Sequence, residues 1–144
     1  MNSNPNQSDP LTKKVIGEAT YVHYVLGPGF MESIYQNALL LRLKKLGLKV
    51  EGQQQCPVYF DDEMIGDFFA DIIVEDCLIL ELKAVSALNS AHEAQLENLL
   101  TATKIETGLL LNFGAKSLEF KRKCRTLTPL ATDDLSELAV SQSC

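Results

Sequence analysis

The spacing of apolar and polar positions changes along this chain, and each change marks an element. Val15, Ala19, Val22 and Leu26 recur at four-three-four spacing, the apolar stripe of an amphipathic helix starting near Leu11. Gly27-Pro28-Gly29 ends that helix, because glycine frees φ and proline cannot extend it. A second helix is expected over residues 30–46, with Ile34, Ala38 and Leu41 on one face and Gly47 closing it. The pattern then shortens towards period two. Strands are expected over residues 49–54 and 57–60, with Asp61-Asp62 as a turn. The strongest lie at 67–74 and 77–83, rich in Ile, Val, Leu and Phe. A third helix over 90–103, a buried strand over 107–113 and an edge strand over 118–124 complete the series. This order predicts a mixed β-sheet flanked by helices, in the α/β or α+β class.

Composition adds bounds. The 144 residues suit one domain with a real core, and 46% hydrophobic against 22% charged is an ordinary globular balance. The domain is expected over residues 11–127, with a disordered segment at 1–10 and a flexible tail at 128–144. No apolar run is long enough to span a bilayer and the first residues lack signal-peptide order, so a cytoplasmic protein is expected. Cys56, Cys77, Cys124 and Cys144 show no C-x-x-C pairing and read as idle thiols rather than a zinc site. A net charge of −6 argues against coating nucleic acid by electrostatics alone. Positive charge gathers at Lys116, Lys121, Arg122, Lys123 and Arg125, either a phosphate-binding strip or a strand edge blunted by cations.

Candidate chemistry comes from a conflict of polarity. In 77–83, Leu78, Leu80 and Leu82 share one face, while Ile79, Glu81 and Lys83 share the other. In the preceding strand Phe69, Asp71 and Ile73 share a face, opposite Phe68, Ala70 and Ile72. Ionised groups rarely enter apolar strands without a partner or a metal. A three-residue loop, Glu75-Asp76-Cys77, makes Asp71 oppose Glu81; a two-residue loop puts the acids on opposite faces. The odd loop is expected. Two carboxylates about 4 Å apart repel by roughly 4 kcal/mol at an effective dielectric near 20. Mg²⁺ or Mn²⁺ bound by Asp71, Glu81 and the Leu82 backbone carbonyl would relieve that, and a carboxylate–lysine ion pair without metal is the equal alternative.

Asp71, nine intervening residues and then Glu81-Leu82-Lys83 resembles the D…E-x-K signature of PD-(D/E)XK nucleases. Gly29-Phe30-Met31-Glu32-Ser33-Ile34-Tyr35 resembles the motif of the GxxExxY family within that superfamily. Val58-Tyr59, Glu81-Leu82-Lys83-Ala84, Gln95-Leu96 and the run from Gly108 to Gly114 extend the likeness over residues 11–126. Ala70 stands where the superfamily name has proline, and Asn98 where the family has tyrosine. The resemblance implies a restriction-endonuclease-like core and metal-dependent hydrolysis of nucleic-acid phosphodiesters. It implies that Asp71 and Glu81 bind the ion and that Lys83 orients or deprotonates the attacking water. Glu32 would reach the site through water, Gln95 would project from the third helix, and Tyr35 would support Glu32 or touch substrate.

From the residues alone, Glu32 is an acid placed well for a helix dipole, and Gln95 is a polar amide on the small apolar face of Ala91, Leu99 and Ala102. The function that the resemblance implies is a Mg²⁺- or Mn²⁺-dependent nuclease acting on DNA or RNA. Lys121, Arg122 and Lys123 are the candidate substrate contacts beside Tyr35, and a homodimer is possible. The alternative is a catalytically silent domain that binds nucleic acid or protein.

Overall fold

The computed structural model describes residues 9–125. The expected tail at 128–144 and most of the expected N-terminal segment lie outside them. Helix α1 (Pro10–Leu26) begins earlier than the sequence suggests: Asp9 caps it, accepting from the Thr12 N–H at 2.7 Å, and Pro10 occupies the first turn. Its stripe of Val15, Ala19 and Val22 is buried as the spacing requires.

Helix α2 (Glu32–Lys45) turns a different face inward from the one expected. Tyr35, Leu39 and Leu43 are buried, whereas Ile34 and Leu41 are exposed. This helix is apolar on several sides, so periodicity alone leaves its rotation undecided. The large side chains four residues apart fill the gap over the sheet.

Strands β1 (Val50–Phe60), β2 (Glu63–Val74), β3 (Leu78–Lys83), β4 (Thr107–Asn112) and β5 (Glu119–Cys124) form one sheet in the order β1-β2-β3-β4-β5. Only β3–β4 is parallel, and α3 (Ser90–Thr103) makes the crossover between them. The two short strands expected at 49–54 and 57–60 are one long β1, because β2 pairs along its whole length. The turn at Asp61-Asp62 has positive φ at both residues, a conformation suited to Asp.

The sheet is covered on both sides. Helices α1 and α2 bury Ile72, Val74, Leu80, Leu82, Leu109 and Leu111, while α3 covers Ala70, Ile73, Ile79 and Leu110. This is the mixed sheet flanked by helices that the element order predicts, with five strands in place of the six expected. Ala70 belongs to the α3 side and Ile72 to the other, although residues two apart share a face in a regular strand. Strand β2 therefore rolls about its axis at Asp71, and the expected grouping of Ala70 with Ile72 is corrected. Cys56 is a buried free thiol and Cys77 an exposed one. Cys124 is disulfide-bonded, which corrects the idle-thiol expectation there.

Candidate functional site

The β2–β3 loop is the odd one. Ile72 pairs with Leu80, Ile73 with Ile79 and Val74 with Leu78, leaving Glu75-Asp76-Cys77 as the connection. Continued by one residue, this register sets Asp71 opposite Glu81, and the two carboxyl groups hydrogen-bond. The β2–β3 ladder ends at Ile72, where β2 rolls away from β3. Asp71 Oδ2 takes over at that point, accepting from the Leu82 N–H at 2.8 Å.

The Leu82 carbonyl points to the same side. Lys83 C=O accepts from Phe113 N–H beyond the end of β4, and alternate residues of a strand direct their peptide groups to opposite neighbours. Leu82 thus turns both its N–H and its C=O towards Asp71. The fork between β2 and β3 gathers two carboxylates and one backbone carbonyl.

Burial, followed by the charge of Asp71, pushes the Glu81 carboxyl up to about 9; Lys83 opposes this only in part. At neutral pH Glu81 therefore keeps its proton. Lys83 does not neutralise the pair as a simple ion-pair partner. Its ammonium group donates instead to Gln95 Oε1 at 3.1 Å, reaching across to α3. Gln95 is exposed at the rim, not a core glutamine bonded to backbone.

Glu32 is the first residue of α2 and exposed. It lines, with Ser33, Gln36, Gln53 and Asp71, an open pocket of about 540 Å³. Among the described residues no three His, Cys, Asp or Glu side chains are gathered into a metal-binding group. Glu32 therefore shares the pocket with Asp71 without joining the Asp71–Glu81 pair. The donors present are hard carboxylate and carbonyl oxygens on half-buried acids, which suits Mg²⁺ or Mn²⁺.

Tyr35 is a correction. It is fully buried, its ring stacks on Phe113 at 4.7 Å, and it has no surface to offer a substrate. Its hydroxyl donates to Gly27 C=O at 2.5 Å and accepts from Phe30 N–H at 3.1 Å, fixing the turn that aims Glu32. Tyr35→Phe strands both backbone groups and is expected to cost about 1–3 kcal/mol in urea denaturation.

The basic residues of β5 are corrected as well. Arg122 pairs with Asp9, Lys123 with Glu93 and Glu97, and Lys121 lies 4.0 Å from Glu93. These cations tie α1 and α3 to the far edge of the sheet, two strands from β3. They are engaged by the protein's own acids rather than presented as a phosphate strip.

Two residues that the sequence reading passed over belong here. Gln53 sits opposite Asp71 on β1, and its φ of +50° takes it out of the ladder without changing the register. Its amide donates to Gln36 Oε1 at 2.9 Å and to Asp71 Oδ1 at 3.3 Å, while Gln36 Nε2 donates to Asp71 C=O at 3.0 Å. Together they hold Asp71 by side chain and backbone. The signal was present for Gln36, which shares helical spacing with Leu40 and Leu43. It was hidden by choosing the wrong face of α2.

This architecture, a mixed sheet between helices with acidic side chains where two strands part, defines a class of α+β domains with a polar fork between two inner strands. Residues 9–123 match the family model of the PD-(D/E)XK nuclease superfamily, and the chain belongs to that superfamily. Among solved structures it is similar to the crystal structure of SSO0001, with a TM-score of 0.53 at 17% identity. The match covers 75% of this chain and 54% of that one, so this protein spans about half the length of that relative. No curated protein matches the sequence.

Proposed function

We propose that the protein is a divalent-metal-dependent nuclease of the GxxExxY family, with Asp71, Glu81 and the Leu82 carbonyl holding Mg²⁺ or Mn²⁺. The observation that carries this reading is the half-buried Asp71–Glu81 pair, whose repulsion Lys83 offsets only in part. A bound divalent ion supplies positive charge to the scissile phosphate and makes nearby water more acidic. Asp71 keeps its orientation through Leu82, Gln36 and Gln53. Lys83, steadied by Gln95, presents an ammonium group beside the acids, where it orients the attacking water and offsets charge developing on phosphate. Glu32 faces the same pocket and positions water on the side of Asp71 away from β3.

The test is hydrolysis of single- and double-stranded DNA and RNA with Mg²⁺ or Mn²⁺ against EDTA. Turnover of at least one polymer, abolished by EDTA and restored by the ion, is expected. Metal binding with no turnover of any polymer would leave a binding module in its place. Among the described residues no helix is long and apolar enough to cross a membrane.

A further inference from the structure

The β1–β2 hairpin outgrows the sheet. Pairing to β3 stops at Ile72, yet β1 and β2 stay paired from Gln54↔Ala70 to Phe60↔Glu63, an arm extending roughly 20 Å further. Tyr59, Phe60, Met64, Ile65, Phe68 and Phe69 on this arm are each between 38% and 65% exposed. Neighbours along a strand point to opposite faces, so these side chains are divided between the two faces of the ribbon, about 300 Å² on each. That is well short of the roughly 800 Å² each partner contributes to a stable interface, so the arm needs contacts beyond its apolar side chains, and a bare two-stranded ribbon is marginal in water.

Charge selects the occupant. Residues 50–82 contain acids but no Lys, Arg or His, so the arm repels nucleic acid. Its tip carries Asp61, Asp62 and Glu63, none of which forms an ion pair among the described residues. The complement lies at the other end of the same edge. Lys44 and Lys45 end α2 without ion pairs among the described residues, flanked by exposed Leu41 and Leu46, just before the base of β1.

We infer that this arm binds a second copy of the chain, two arms lying antiparallel about a two-fold axis. That arrangement sets the acidic tip of each arm against Lys44, Lys45, Leu41 and Leu46 of the other copy, twice over. The interface closes on itself, as a two-fold contact must. Strand β1 is an edge strand, so its flank is open to such a neighbour.

Sedimentation equilibrium at micromolar concentration tests this by charge exchange. Asp61→Asn/Asp62→Asn/Glu63→Lys makes the tip basic, using Asn because it tolerates the positive φ of both turn residues. Lys44→Glu/Lys45→Glu makes the α2 patch acidic. The unmodified chain is expected to dimerise, each variant alone to weaken at least tenfold, and an equimolar mixture to recover. A monomeric unmodified chain, dimerisation that persists in either variant alone, or a mixture that stays monomeric overturns the inference.

Carbodiimide cross-linking of mixed ¹⁴N- and ¹⁵N-labelled unmodified chain gives an independent readout that needs no variant to fold. Cross-links joining the Lys44–Lys45 segment to the Asp61–Glu63 segment between differently labelled chains support the inference. Cross-links between chains through other segments alone contradict it.

Discussion

Lys83→Ala is expected to lower nuclease turnover by about 10²- to 10⁴-fold, the range spanned by loss of a positioned acid–base or charge-stabilising group. The fold should survive. Lys83 ends β3, is partly exposed, and loses one hydrogen bond to an exposed amide, a change worth about 1 kcal/mol or less. Metal affinity should hold or rise, since a cation beside the acids is removed. Asp71→Asn has a different signature. The amide oxygen can still accept from the Leu82 N–H, but the carboxylate that faces neutral Glu81 is gone, and with it the negative charge the metal-free fork carries. Activity and Mn²⁺ affinity are then expected to fall together. Titration calorimetry alongside the hydrolysis assay separates the two roles. Turnover that persists in both variants would place the chemistry elsewhere.

Stability of the metal-free protein is expected to fall as pH rises from about 5 to 9. Glu81 titrates near 9 when folded, against an ordinary carboxylate range near 4.5, so the folded chain holds the extra proton in between. Stability contributed by the protonated form is complete below the unfolded value and is lost as pH climbs through the folded one. Each pH unit is worth up to about 1.4 kcal/mol, so the whole window spans a few kcal/mol. Glu81→Gln removes the titrating group and should flatten the profile while stabilising the protein at pH 8. Mn²⁺ works the other way, raising Tm more at pH 8 than at pH 5.5 and releasing a proton as it binds. Thermal melts across that range, with and without the ion, read both effects. A Tm independent of pH in the metal-free protein would show that Glu81 is not held neutral.

Several features were legible from residues alone. The third helix starts and ends where its pattern does, at Ser90–Thr103. The register of Asp71 with Glu81 followed from counting: three loop residues preserve the face, two would reverse it. What escaped was set by tertiary packing. The rotation of α2 depends on Tyr35 reaching Gly27 and Phe113, a contact no local period encodes. The roll of β2 at Asp71 depends on β1, where Gln53 leaves the ladder opposite it. The basic residues of β5 looked like a ligand surface because the acids that engage them, Asp9, Glu93 and Glu97, lie far away in sequence. Charge clusters show where cations are. They do not show what already occupies them.

Crystals soaked in Mn²⁺ and measured at the manganese edge test the proposal most directly. An anomalous peak at the β2–β3 fork, shared by the carboxylates of Asp71 and Glu81 and absent from Asp71→Asn crystals, is the predicted result. A fork that stays empty under millimolar Mn²⁺ would contradict it.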